Sequence, residues 1–81
     1  MYSLEEIKTK IERLYRKAPN IHVSVNLSHP RLVIKESQAV IVGVYSNIFL
    51  IEERDSGYPR THSLQYIDVL TKQIVIAELD N

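Results

Sequence analysis

Apolar residues recur at Leu4, Ile7, Ile11, Leu14 and Ala18, spacings of three and four that draw one stripe along a helix. Ser3-Leu4-Glu5-Glu6 opens that stripe as a capping box. The Ser3 hydroxyl can accept from the backbone N–H of Glu6, and the Glu6 carboxylate can accept from the N–H of Ser3. Acidic residues lie early in the segment and basic residues late, as the helix dipole prefers. Pro19 disfavours helical geometry at Ala18, so the helix is predicted over residues 3–18.

Beyond Pro19 the period changes from 3.6 to 2. Ile21, Val23, Val25 and Leu27 alternate with His22, Ser24, Asn26 and Ser28, the pattern of a half-buried strand. Asn26 to Pro30 reads as a loop, and Arg31–Glu36 as a second strand with Leu32 and Ile34 on one face. Glu36-Ser37-Gln38 is predicted to turn the chain into a third strand, Ala39–Tyr45. That strand is apolar on both faces: Val40, Val42 and Val44 on one, Ile41 and Tyr45 on the other. Ser46-Asn47 is a hairpin turn into Ile48–Arg54, and Asp55-Ser56-Gly57-Tyr58-Pro59 is a second turn. Arg60–Gln65 is a fifth strand. A single helical turn follows at Tyr66–Thr71, and Ile74–Leu79 is the last strand.

A helical turn wedged before the final strand is how SH3-like barrels close. The predicted fold is therefore mainly β: a small SH3-like barrel of five to six antiparallel strands, with an N-terminal amphipathic helix and a short helical turn before the last strand. Residues 1–81 form one domain, with the helix over 3–18 and the barrel over 21–79. A barrel this small needs apolar residues only inside, yet several strands are apolar on both faces. The helix stripe is the expected cover for the outer face, with a subunit partner as the alternative.

Eighty-one residues leave a thin stability margin, since a chain of this size buries only about 60% of its unfolded surface. There is no cysteine, hence no disulfide framework and no thiol chemistry, which fits a cytoplasmic protein. No basic start leads into an apolar run, so no signal peptide is expected. The longest apolar runs, Ala39–Tyr45 and Ile48–Ile51, fall far short of the roughly 20 residues that cross a bilayer. Net charge is zero, but residues 1–35 carry seven cations against three anions and residues 36–81 three against seven. Such a dipolar chain can orient on a charged partner, and it lacks the overall basicity of a non-specific nucleic-acid binder.

No constellation points to catalysis. His22, His29 and His62 do not have metal-site spacing, and no cofactor is implied. The only glycines are Gly43 and Gly57, so no phosphate loop exists, and no Gly-x-Ser-x-Gly signature surrounds a serine. The expected class is a non-enzymatic binding protein. The candidate partner surface is the outer helix face with Arg13, Arg16 and Lys17, together with the acidic strand end at Glu52, Glu53 and Asp55. The bland alternative for both is a solvated face. Direct nucleic-acid binding would instead use Lys8, Lys10 and Arg13 with Tyr45 or Tyr58 as stacking platforms. A third reading is a structural homodimer.

Three segments carry a family resemblance: Val44-Tyr45-Ser46-Asn47-Ile48-Phe49-Leu50-Ile51, Ser63-Leu64-Gln65-Tyr66-Ile67-Asp68-Val69-Leu70-Thr71, and Ile74-Val75-Ile76. With the opening Leu4-Glu5-Glu6-Ile7-Lys8, they resemble the Veg family, small cytoplasmic proteins of Gram-positive bacteria described as stimulators of biofilm formation. The Tyr-x-Asp-Val-Leu-Thr piece is the most specific. The resemblance implies an SH3-like barrel with an N-terminal helix and no catalytic residues. It also implies a regulator of extracellular-matrix genes that acts by association with a repressor protein. One departure bears on partners. Where the family tends to have a Gly- and Arg/Lys-rich segment between the first two strands, Asn26–Arg31 holds a single cation. Nucleic acid is accordingly the less favoured partner.

Overall fold

The computed structural model describes residues 3–29, 31–54 and 57–80. Helix α1, Leu4–Lys17, begins as the sequence predicts. The Ser3 hydroxyl accepts from the Glu6 amide at 3.2 Å and the Glu6 carboxylate accepts from the Ser3 amide. Its exit is tied to the sheet, because the Pro19 carbonyl accepts from the Ile41 amide at 2.9 Å.

Five strands follow: β1 Asn20–Ser28, β2 Arg31–Val44, β3 Ile48–Glu53, β4 Arg60–Gln65 and β5 Ile74–Ile76. They form one antiparallel sheet in the order β4-β3-β2-β1-β5. The mainly β architecture is the expected one, but the sheet stays open. Its two edges, β4 and β5, do not pair with each other among the described residues. Helix α2, Tyr66–Leu70, occupies the predicted wedge and connects those edges.

Two features of β2 differ from expectation for the same reason, an irregular ladder. The turn expected at Glu36-Ser37-Gln38 is a bulge within a single 14-residue strand. Val23 pairs with Ser37 and Val25 with Ile34, so Lys35 and Glu36 together oppose Ser24. Glu36 adopts φ 28°, and its displaced amide donates to the Ser24 hydroxyl at 3.2 Å. A second shift opposes Gly43, not Val42, to Leu50. It turns Val44 inward against the core, off the face it would otherwise share with Val40 and Val42. The expected loop at Asn26–Pro30 is shorter too, since the β1–β2 ladder runs on to Ser28 opposite Arg31.

The other end of the chain also departs. The last strand stops at Ile76, and Ala77–Asp80 winds into a 3-10 helix that delivers Leu79 to the core. Helix α2 ends in a Schellman arrangement, with Lys72 at φ 66° donating to the Val69 carbonyl and Gln73 donating to that of Asp68. Of the Asp55–Pro59 turn, Asp55 and Ser56 lie outside the described residues. Gly57 takes φ 83°, the left-handed region that glycine enters without steric cost.

One core cluster unites Ile7 and Ile11 of α1 with Ile21, Val23, Ile41, Phe49, Ile51, Leu64, Ile74 and Ile76 from all five strands. Helix α1 therefore seals the inner face of an open sheet. It does not cover the outer face of a barrel, as the two-sided apolar pattern suggested. The outer face keeps Val33, Val42 and Val75 exposed. Burying Ile7 and Ile11 contributes about 1.5–3 kcal/mol each, and this is what holds α1 in place.

Candidate functional site

Helical spacing places Lys10, Arg13, Leu14 and Lys17 along one edge of α1. There they face Glu78 and Leu79 of the 3-10 helix across a groove of 210 Å³. Leu14 and Leu79 supply its apolar floor, and the three cations line its α1 side. Arg16 points elsewhere, toward Glu12 at 3.7 Å, a highly exposed pair of little energetic weight.

Among the described residues that line the groove, Glu78 is the one anion, and it is held from outside. The His22 amide donates to Glu78 Oε1 at 2.9 Å, and His22 Nδ1 lies 2.8 Å from Oε2. Burial alone would raise the Glu78 pKa. The amide and ring of His22, together with the backbone N–H of Glu78 itself, outweigh it and hold the carboxyl below its ordinary value. Glu78 therefore stays a carboxylate at neutral pH, fixing the 3-10 helix against β1.

The acidic strand end divides by face. Glu52 is on the outer face and pairs with Arg54 at 3.1 Å. Glu53 turns inward, where His62 Nε2 lies 3.0 Å from Oε1 and the Ser37 hydroxyl donates to Oε2 at 3.4 Å. The Glu53 and His62 side chains are only 15% and 17% exposed, so these are interior polar groups and not a solvated hairpin tip. The order matters chemically. The carboxylate stands between the hydroxyl and the imidazole, so the histidine cannot take the serine proton as it does in a nucleophile–base–acid relay. Asp55 lies outside the described residues. Val40 sits between Asn20 and Glu52 in the ladder, so the C-terminal end of α1 and the acidic end of β3 share one end of the sheet with β2 between them.

The residues proposed for nucleic acid are dispersed. Lys8 lines a second cleft, of 540 Å³, with Leu4, Asn47, Ile48 and Ile67, away from Lys10 and Arg13. Tyr45 is 54% exposed, with its ring lying over Gly43: a Cβ there would come within 2.9 Å of the ring edge. Tyr58 is 63% exposed beside Arg60, whose guanidinium is 5.6 Å from the ring centroid. Tyr45 precedes β3 and Tyr58 follows it. The six residues of β3 at about 3.3 Å each put the tyrosines roughly 20 Å apart, too far to form one stacking platform. Tyr66 has a structural task. Its hydroxyl donates to the Tyr45 carbonyl at 2.8 Å, its ring stacks on Phe49 at 5.4 Å, and burial pushes its pKa up.

Sequence reasoning missed the His62–Glu53–Ser37 and His22–Glu78 groupings. The first had a signal. Glu53 continues the inward alternation of Phe49 and Ile51, and His62 that of Leu64, so both were due on the inner face. The second had none, because it depends on a 3-10 helix where a strand was expected.

Fold and surface together define a small mainly β domain, an open sheet sealed by one helix and bordered by a cationic, apolar-floored groove. A family model described as biofilm formation stimulator VEG matches residues 2–77, nearly the whole length, and the chain belongs to that family. No curated protein and no solved structure matches it. The family is described by a part in biofilm formation and not by a reaction. Among the described residues, no helix is long and apolar enough to cross a membrane.

Proposed function

We propose that this protein is a non-enzymatic regulator that stimulates biofilm formation by binding another protein, acting on the transcription of matrix genes. The family match over residues 2–77 is the observation that carries the biofilm role. The docking surface is the groove edged by Lys10, Arg13 and Lys17 over Leu14 and Leu79. Its chemistry suits a segment that offers carboxylates to the three cations and one aliphatic side chain to the floor. A transcriptional repressor with such a segment is the partner expected.

The test is affinity capture of tagged protein from native lysate at moderate salt, with and without nuclease, run beside the Arg13→Glu/Lys17→Glu variant. The expected outcome is a transcription regulator that survives nuclease treatment, is lost with the variant, and binds the purified chain directly. Recovery that depends on nucleic acid would replace this reading with direct nucleic-acid binding. Unchanged matrix-gene expression in a deletion strain would remove the regulatory role.

A further inference from the structure

The two edges of the sheet are guarded very differently. Strand β5 is three residues long, runs at once into the 3-10 helix and packs against α2. Those are devices by which natural sheets blunt an edge. Strand β4 also runs directly into a helix, α2, but that helix meets only its C-terminal end, and the strand's length sets it apart. It is six residues long and pairs with β3 in unbroken register from Glu53–Arg60 to Ile48–Gln65, with no bulge. Pro59 lies before the strand and not in it, and the only formal charge is Arg60 at its first position. Thr61, Ser63 and Gln65 are exposed on the outer face, while Leu64 is buried on the inner one. About half of the amides and carbonyls of such an edge point away from β3 and need a partner.

We propose that two copies of this chain associate through the free edge of β4, extending the sheet across a two-fold axis at Ser63. Charge and pattern favour a second copy as the occupant. From Thr61 to Ile67 the sequence holds no formal charge, so two copies bring no repulsion to the seam. A two-fold axis at Ser63 places Thr61 opposite Gln65 and His62 opposite Leu64, which keeps outer residues with outer and inner with inner. The same operation sets each Arg60 opposite Tyr66, the first residue of the other copy's helix α2, whose one formal charge is the negative Asp68. The seam does not include the α1 groove, so it stands or falls apart from the partner-binding reading.

The mass of the untagged chain is measured by light scattering or sedimentation across micromolar to millimolar concentration. A concentration-dependent doubling is expected. In Thr61→Lys/Ser63→Lys the lysine at 63 faces its own copy and the lysine at 61 is its diagonal neighbour, which should weaken the dimer about tenfold or more. Tm measured at dilutions where the parent is monomeric should be unchanged, because both side chains are exposed. Because the chain has no cysteine, Ser63→Cys gives a second readout. A residue on the axis faces its own copy at a Cα separation of about 4.5–5.5 Å, within reach of a disulfide. Mild oxidation should therefore link Ser63→Cys chains in pairs and leave Val75→Cys, on the blunted edge, unlinked. A chain that stays monomeric to millimolar concentration overturns the proposal. So does a dimer that survives the double lysine variant, or one that links equally at both edges.

Discussion

Ile41 and Val42 are consecutive aliphatic residues of β2, yet Ile41 is 1% exposed and Val42 40%. Ile41 sits in the cluster that Ile7 and Ile11 of α1 complete, whereas no element covers Val42 among the described residues. The same contrast runs along β3, where Phe49, Ile51 and Glu53 face inward and Ile48, Leu50 and Glu52 outward. Residue type does not set these fates. Carboxylates and β-branched aliphatics occur on both faces, and what differs is which face the single long helix has to cover. Stability is therefore concentrated on one side of the sheet, leaving the other available for contacts.

The sharpest way to break that contrast is to truncate one residue on each side. Ile11→Ala removes a fully buried side chain and should cost about 2–5 kcal/mol, while Val42→Ala should cost about 1 kcal/mol or less, both read by urea denaturation. Equal losses would mean that the outer face is covered in solution. The adjacent glutamates give a smaller version of the comparison. Glu53→Ala strips the partly buried Ser37 and His62 of their shared acceptor and should cost about 1–3 kcal/mol. Glu52→Ala loses only a surface pair with Arg54 and should stay within about 1 kcal/mol.

The mildest effect concerns acid. The Glu78 pKa is lower in the folded chain than in the unfolded one, so the unfolded state binds the proton more readily. Its contribution is present above the ordinary carboxylate pKa and is lost as pH falls through the depressed folded value. Denaturation midpoints measured at steps below about pH 4.5 should decline less steeply in Glu78→Gln than in the parent chain. A parallel decline would show that the contact with His22 does not hold the carboxylate.

Much of this was legible in the sequence where local rules act alone. The capping box at Ser3–Glu6, the stripe of α1, the Ser46-Asn47 hairpin and the helical turn at Tyr66 all follow from spacing within a few residues. What was not legible depends on partners distant in sequence. Glu36-Ser37-Gln38 carries real turn chemistry, but β1 pairs with the chain on both sides of it and absorbs the irregularity as a bulge. Ile74–Leu79 alternates like a strand, yet the ladder with β1 ends at Ile76 opposite Val23, and the next amide of β1, His22, donates to the Glu78 carboxylate of the winding segment. Closure failed to follow from pattern for a similar reason. Apolar residues on both faces fit a covered barrel and a half-covered sheet equally well. Of the candidate sites, helical period joins Lys10, Arg13 and Lys17 on one edge of α1, whereas the expected groupings add Arg16 to Arg13 and Lys17, and Lys8 to Lys10 and Arg13. The opposing wall, Glu78 and Leu79, could not be placed by period.

That wall also says something about the order of assembly. Strands β1 to β4 form a meander in which each strand pairs with the next one along the chain, so those ladders close through short loops. Strand β5 instead comes from the far end of the sequence to meet β1, the most costly closure in the sheet. The 3-10 helix that follows β5 can take its place only after that meeting. The cationic edge of α1 is thus written into the first residues of the chain, and its facing wall arrives with the last. A chain lacking its last residues would present this edge of α1 without the Glu78–Leu79 wall, so the groove itself reports that the fold is finished.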